Sequence, residues 1–492
     1  MIEQHLSILL VVIPLLAAPI TAILPRARIA WLLTLLVTWS CLLLAVWQLQ
    51  SVLDGNIISY ELGGWAPPWG IEFRIDTINA FIAMIVAAMA AVTLPYALRS
   101  VEQEIDPRHI PLFYTAFLLC LTGLLGITLT GDIFNLFVFL EISSLSSYAL
   151  ISMGRQRQAL TAAFQYLIMG TIGATFLLIG IGLIYSETGT LNMMDLAGRL
   201  PSVFELRTVH TAFAFIMVGV ALKLALFPLH LWLPNAYTYA PTVITIFLAA
   251  IATKVAIYVM LRMVYTVFSI GFAEDTPLNE MFMLLGVFGV LIASLYAIYQ
   301  TNSKRLLAYS SVAQIGYMVL GIGFGSVLGL TATIVHIFNH ALIKAALFMA
   351  VGALVYQVGS SRLQDWHGLG RKMPWTFAAL VIAGLSLIGL PGTAGFISKW
   401  YLVAAAVEQQ NWLIAFIILL GSLLAVVYVW KMVEVLFFRD ANTSTAETRE
   451  APLLLLVPTW LLVLANLYFG FNTELTVDIA HSAASMMEAS TP

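Results

Sequence analysis

GDIFNLFVFLEISSLSSYALISMG, residues 131–154, is an apolar run with Asp132 at its start and one carboxylate, Glu141, well inside it. A helix needs about twenty predominantly apolar residues to cross roughly 30 Å of hydrocarbon, and this stretch supplies them. Runs of the same kind recur on both sides of it. Fourteen are expected, at 6–24, 29–49, 76–98, 110–130, 132–153, 159–185 and 209–230, then at 240–262, 281–299, 304–325, 328–357, 375–403, 411–438 and 452–470. They are continuous rather than alternating in ten-residue stretches, which selects helices over a transmembrane barrel. The expected fold class is all-α, a polytopic membrane protein.

Composition agrees. Of 492 residues, 61% are hydrophobic and 10% charged, a balance that would leave large apolar patches on a protein dissolved in water. The first run lacks a basic stretch ahead of it and an A-x-A-like cleavage site, and leads straight into further runs. It therefore reads as the first span and not as a removed signal peptide. Cys41 and Cys120 fall inside apolar runs, where a thiol behaves as a small hydrophobe, so neither a disulfide nor a metal cluster is expected.

Short cytoplasmic loops retain positive charge, and this fixes the expected orientation. With the N-terminus outside, inner loops hold thirteen basic residues: Arg26, Arg28, Arg99, Arg108, Arg155, Arg157, Lys304, Arg305, Arg362, Arg371, Lys372, Arg439 and Arg449. Outer segments hold four, Arg74, Arg199, Arg207 and Arg262, and both termini lie outside. The net charge of −3 hides this asymmetry and gives no reason to expect a nucleic acid partner.

The other five basic residues, Lys223, Lys254, Lys344, Lys399 and Lys431, lie within apolar segments, whereas every arginine falls in a loop or at a helix end. A charge at the bilayer centre costs roughly 2.5 to 3.5 kcal/mol on insertion scales, so such residues face protein or a water-filled cavity. Lysine can give up its proton when buried; guanidinium cannot. Lys431, three residues before Glu434 and near a helix end, fits a snorkelling or static ion-pair role. Lys254 lies too far inside its segment to snorkel.

Glu141 is the one acid well inside an apolar span, and a lysine of another helix is its expected partner. Ser144, Leu145 and Tyr148 share its helix face and offer two hydroxyls beside the carboxylate. In TATIVHIFNHALIKAALFMAVG, residues 331–352, His336, His340 and Lys344 follow at four-residue steps and make one polar stripe. A proton relay suits them, because histidine titrates nearest neutral pH. The H-x-x-x-H spacing lacks the glutamate of the metalloprotease motif and has no further ligand nearby, so no metal is expected.

Two segments are interrupted beside lysines. ALKLALFPLHLWLP, residues 221–234, carries Pro228 five residues after Lys223, with His230 inside the interruption as a further relay candidate. LIGLPGTAGFISKW, residues 387–400, carries Pro391 and Gly392 ahead of Lys399. Non-helical backbone at membrane depth is tolerated where protein or water satisfies it, and matching broken segments in two halves point to a transporter's ion site. Residues 51–75, with Gly, Trp and Pro, read as an ordered external loop, and the segment after 470 as a short, mildly acidic tail. No phosphate-binding loop, dinucleotide fingerprint or nucleophile elbow appears, so neither a cofactor nor soluble-type catalysis is expected.

The stretches around Glu141, Lys223 to Lys254, LAYSSVAQIGYMVLG at 307–321, the 336–344 ladder and 387–400 resemble the antiporter-like subunits shared by Mrp-type cation/proton antiporters, respiratory complex I and membrane-bound hydrogenases. Within that family the chain is most similar to the D-type subunits of the Mrp antiporters. The resemblance implies fourteen helices, with helices 1–3 and the external loop in 1–109, two inverted five-helix repeats at 110–262 and 281–438, helix 14 at 452–470 and a tail at 471–492. It further implies that Glu141 and Lys223 form a coupled ion pair, that Lys254 is the central proton carrier, and that Lys399 is the ionisable residue of the broken twelfth helix. Lysine at 399 disfavours the complex I members that carry glutamate there, and the end of the chain soon after helix 14 disfavours the larger A-type Mrp subunits.

The implied activity is proton translocation in a multi-subunit monovalent cation (Na+)/H+ antiporter, a secondary transporter and not an enzyme, in a prokaryotic plasma membrane with other membrane subunits as partners. The alternative is a proton-pumping subunit of a redox complex, either complex I-like or a membrane-bound hydrogenase.

Overall fold

The computed structural model describes residues 5–269, 272, 276–440 and 448–489. Helices dominate. In the first half they are α1 (Leu6–Ile23), α2 (Ala27–Val52), α3 (Thr77–Glu104), α4 (Ile110–Leu129), α5 (Ile133–Ser152), α6 (Gln158–Thr188), α7 (Met193–Arg199), α8 (Arg207–Leu224), α9 (Trp232–Tyr239) and α10 (Thr242–Leu261). The second half holds α11 (Leu278–Tyr299), α12 (Ser303–Gly323), α13 (Val327–Val358), α14 (Pro374–Ile388), α15 (Ala394–Glu408), α16 (Trp412–Val433), α17 (Leu453–Phe471) and α18 (Glu474–Ala489).

Among the described residues thirteen helices are long and apolar enough to span a bilayer, and they match thirteen of the fourteen expected runs. The fourteenth, 375–403, is two shorter helices, α14 and α15, separated at 389–393. The run 209–230 also stops early, at Leu224, and the short α9 follows. The segment read only as a tail carries α18, which packs on α13 and α3.

Helices α10 and α12 are enclosed almost completely, whereas α2, α6, α11, α16 and α17 turn most of their surface outward. That outward surface is apolar, with Leu43, Phe164, Phe416, Leu423 and Val457 all exposed, as a chain solvated by lipid requires. Close approaches through glycine set the helix spacing beside the site. A Cβ on Gly219, one turn before Lys223, would stand 2.7 Å from the Gly173 carbonyl oxygen of α6.

The loop 51–75 is ordered, as expected. Its strands β1 (Ile58–Glu61) and β2 (Glu72–Ile75) pair antiparallel, with Ile58 opposite Ile75. Buried Glu72 accepts hydrogen bonds from Ser59 at 2.7 Å and from Asn192 at 3.0 Å, which ties the hairpin to the entry of α7.

The two interruptions are built alike. Helix α8 ends on Ala225 in the left-handed region (φ 60°), and the Leu226 amide turns back to the Ala221 carbonyl at 3.0 Å. Helix α14 ends on Gly389 (φ 91°), and the Leu390 amide turns back to the Leu385 carbonyl at 3.1 Å. Both stops therefore precede their prolines and come from a left-handed closing residue, a closure that satisfies carbonyls of the last turn. A second local pattern also occurs in both halves. The Ile133 amide bonds the Leu191 carbonyl and the Ser303 amide the Ser361 carbonyl, both at 2.9 Å.

Candidate functional site

Helix α5 carries Glu141 and α8 carries Lys223 in its final turn, and the break after α8 leaves that lysine at the end of a helix. The Lys223 Nζ donates to Glu141 Oε1 at 2.9 Å and to Ser144 Oγ at 2.8 Å. Lys223 is buried, while Glu141 keeps 22% of its side-chain surface exposed. The serine expected to hold water thus binds the ammonium directly. Indole Nε1 of Trp232 donates to the Leu222 carbonyl at 3.0 Å, supplying one acceptor freed at the break.

Beside the pair lies a cavity of about 30 Å³ lined by Ser143, Ser144, Ser147, Lys223, Val255 and Ala256 among others. It has room for water and reaches the part of α10 that bears Lys254. Lys254 itself is wholly buried, and its Nζ donates to the Ala249 carbonyl of its own helix. Among the described residues no carboxylate pairs with it.

Helix α13 packs against α10 and brings the expected stripe to the interior. His336 and His340 stack at 5.8 Å between ring centroids. The Nδ1 of His336 bonds Ser398 Oγ at 2.7 Å and its Nε2 bonds Gln314 Oε1 at 3.0 Å, whereas neither ring nitrogen of His340 has a partner among the described residues. Lys344 donates to the Leu307 carbonyl at 2.9 Å and to Ser310 Oγ at 2.5 Å.

Ser398 precedes Lys399, so His336 reaches the broken α14–α15 region directly. Lys399 Nζ donates to the Leu387 and Ile388 carbonyls at 3.0 and 2.9 Å and to Ser422 Oγ at 3.0 Å, and it stands 4.9 Å from the centre of the Tyr317 ring. Carbonyls exposed by the second break are thus held by a lysine, as those of the first are by an indole. Pro391 and Gly392 lie in the linker beyond these carbonyls, where a Cβ on Gly392 would meet Phe471 of α17 at 3.2 Å.

His230 is set apart. It is buried in the first break near Pro228, stacked on Phe227 at 5.4 Å and edge-on to Tyr309 at 6.3 Å, with Nδ1 unpartnered. Tyr309, its ring neighbour, is next in sequence to Ser310 of the row.

Several charges differ from their expected places. Lys304, assigned to an inner loop, is buried in the first turn of α12 and donates to Thr242 Oγ1 at 3.0 Å. Arg262, assigned to an outer segment, is buried at the end of α10 and paired with Asp76 at 2.5 Å. Lys431 does not pair with Glu434; it donates to the Ile298 and Gln300 carbonyls at 2.8 Å each, and Glu434 pairs with Arg439 at 2.6 Å. The sequence carried a signal for the Lys304 contact, a lysine one residue into an apolar run, but none for Arg262 and Asp76, which stand 186 residues apart. The bonding partners Ser310, Gln314, Ser398 and Ser422 were legible only as polar residues in apolar helices.

A model of the family described as NADH:quinone oxidoreductase/Mrp antiporter, transmembrane, matches residues 130–425, more than half of the chain and every residue of this row. The chain belongs to that family. Among curated relatives of this antiporter-like family, NADH-quinone oxidoreductase subunit N of Desulforudis audaxviator is 39% identical, covering 97% of this chain and 98% of the relative. The D-type subunit of the Na(+)/H(+) antiporter of Alkalihalophilus pseudofirmus is 31% identical, covering 88% and 87%.

Two solved structures carry the same fold. A chain of the archaeal membrane-bound sulfane sulfur reductase superposes with TM-score 0.91 at 31% identity, covering 98% of both chains. A chain of the Mrp complex from Dietzia sp. superposes with TM-score 0.91 at 26% identity, covering 100% of both. The chain is thus an antiporter-like membrane subunit of the Mrp or complex I-like type, a transporter subunit whose structural neighbours are parts of multi-subunit membrane complexes.

Proposed function

We propose that this chain translocates protons along Glu141, Lys223, Lys254, the His336, His340 and Lys344 stripe, and Lys399, as a subunit of a monovalent cation/proton antiporter with Na+ as the exchanged cation. The observation that carries the reading is the 2.9 Å ion pair between Lys223 and Glu141 at a helix break. Its ammonium lies beside a cavity that leads toward Lys254. Separating the pair leaves a buried lysine without its counter-ion, which favours release of its proton to the next group. The His336 bond to Ser398 supports continuation to Lys399.

The recurrence of the 133–191 and 303–361 bonds and of the left-handed closures supports two repeats at 110–262 and 281–438. The distribution of Lys and Arg supports external termini in a prokaryotic plasma membrane. His230 is retained as a side relay through Tyr309.

A second reading, a proton-pumping subunit of a redox complex, is favoured by the 39% identity to a relative named NADH-quinone oxidoreductase subunit N. Purifying the complex that contains the chain and reconstituting it in vesicles distinguishes the two. Dissipation of a pH gradient on adding Na+ without an electron donor supports antiport. A gradient that forms only with an electron donor and is untouched by Na+ rejects antiport in favour of the redox reading.

A further inference from the structure

A groove of about 450 Å³ runs between α6, α9 and the start of α12. Its rim is apolar and exposed, formed by Phe164 and Ile168 of α6 and by Leu231 just before α9. Across it the Asn235 amide of α9 donates to Gln165 Oε1 of α6 at 2.7 Å. Among the described residues that line the groove, Arg305 is the one charged side chain, and its Nε is buried without a hydrogen-bond partner.

A cation at membrane depth with no counter-charge beside it is costly, so the groove favours an occupant that brings the anion. By the distribution of Lys and Arg, the start of α6, the start of α12 and α9 all lie toward the inner face. The turn before α6 adds Arg155 and Arg157, both exposed. It abuts the end of α9, where a Cβ on Gly154 would stand 2.3 Å from the Tyr239 carbonyl oxygen. Basic pockets between membrane helices on the inner side suit anionic headgroups. Inorganic phosphate would satisfy the guanidinium but leave the apolar rim uncovered, whereas an amphiphile with one anionic end fills both.

We infer that this groove binds an anionic phospholipid of the inner leaflet, with its phosphate on Arg305 and an acyl chain along Phe164, Ile168 and Leu231. Trp232, also in the lining, stacks on Tyr166 at 3.9 Å and donates to the Leu222 carbonyl at the first break. Tyr166 in turn lines the cavity beside Lys223. A lipid seated between α6 and α9 therefore braces the joint that holds Lys223. The bracing rests on the proton-path reading; the binding does not.

The test uses the whole complex and reads binding by native mass spectrometry, with phosphatidylglycerol against phosphatidylcholine as probes. Wild type is expected to prefer phosphatidylglycerol about fivefold or more, the gain that one cation near the surface gives. Arg305→Gln is expected to lose that preference and Arg305→Lys to keep most of it. An undiminished preference in Arg305→Gln overturns the site, and so does displacement of the lipid by inorganic phosphate alone, which marks a free-anion site.

A photoactivatable phosphatidylglycerol on the wild-type complex keeps the proposal testable if the glutamine variant does not assemble. Cross-links to the α6 and α9 segments support it. A photo-reactive residue at position 231 that instead cross-links to another subunit shows the groove to be a protein interface and overturns the lipid assignment. Transport in vesicles of each lipid separates the two claims. If phosphatidylglycerol binds at Arg305 while wild type transports equally in both vesicles, the bracing fails and the site stands; slower transport in phosphatidylcholine, with Arg305→Gln indifferent to the lipid, supports both.

Discussion

Lys223 and Glu141, 82 residues apart in the chain, meet through a 2.9 Å hydrogen bond between the last turn of α8 and the middle of α5. The geometry joins a helix break to the one acid placed mid-span, so the carboxylate is the natural counter-ion of an ammonium that a broken helix frees to move. The first prediction tests the pair as a unit. Glu141→Ala or Lys223→Ala is expected to lower proton transport about a hundredfold or more, as loss of a positioned proton-transfer group does. Assembly suffers as well, because one charge stays buried without its partner. Glu141→Gln with Lys223→Gln removes both charges, and is expected to recover assembly but not transport. Full transport by that double variant in complex-containing vesicles would sink the ion-pair mechanism.

Lys254 has no carboxylate partner among the described residues, which makes arginine the telling replacement. Arg keeps the charge but not the ability to deprotonate, so Lys254→Arg is expected to abolish transport. The longer side chain in a fully enclosed site costs about 1 to 3 kcal/mol from overpacking. Lys254→Met, an uncharged chain of similar size, therefore serves as the assembly control. Retained transport in Lys254→Arg, measured as gradient dissipation per assembled complex, counts against the carrier role.

The bonds of Lys399 to the Leu387 and Ile388 carbonyls make it a structural clasp as well as a proton-path candidate. Lys399→Met leaves two carbonyls at the break unpaired, at about 1 to 3 kcal/mol each. A fall in the thermal midpoint of the purified complex, together with loss of transport, is expected. Gly389→Ala attacks the same joint from the backbone. The residue sits at φ 91°, and an added Cβ would lie 2.9 Å from Lys399 Cδ, so this change is expected to impair assembly while a substitution at exposed Leu390 does not.

The spans, both breaks and the lysine and histidine row were legible in the sequence because a bilayer leaves few ways to place charge, and each departure from an apolar run stands out. That Glu141 takes a lysine of another helix was legible for the same reason, and that the lysine is Lys223 was implied by the family resemblance. Residues whose partners are backbone carbonyls were not. Lys431 was read as a snorkelling or statically paired lysine with Glu434 nearby, yet the end of α11 presents the Ile298 and Gln300 carbonyls from a different part of the chain, and the ammonium goes to those. The helical α18 was missed because its composition is mixed and no span-length apolar run marks it. The pairing of Asp76 with Arg262 depends on α3 and α10 lying side by side, which no local pattern encodes.

That side-by-side packing yields the last prediction. Helix α3 holds α10 at both ends, through Asp76 on Arg262 at one end and Glu104 on the start of α10 at the other. Glu104 Oε2 accepts from the Thr242 amide at 2.8 Å, and its Oε1 accepts from Ser100 Oγ at 2.9 Å. Lys304 donates to the Thr242 hydroxyl beside it, so the first turn of α10 is capped by an acid of α3 and steadied by a lysine of α12. Removing a cap of this kind costs about 0.5 to 2 kcal/mol. Glu104→Ala is expected to lower the thermal midpoint of the complex and, by loosening the helix that carries Lys254, to slow transport. Glu104→Gln keeps an acceptor for the Thr242 amide and is expected to behave nearly as wild type in both measurements. Equal losses in Ala and Gln variants would show that the charge of Glu104, and not its cap, is what α10 requires.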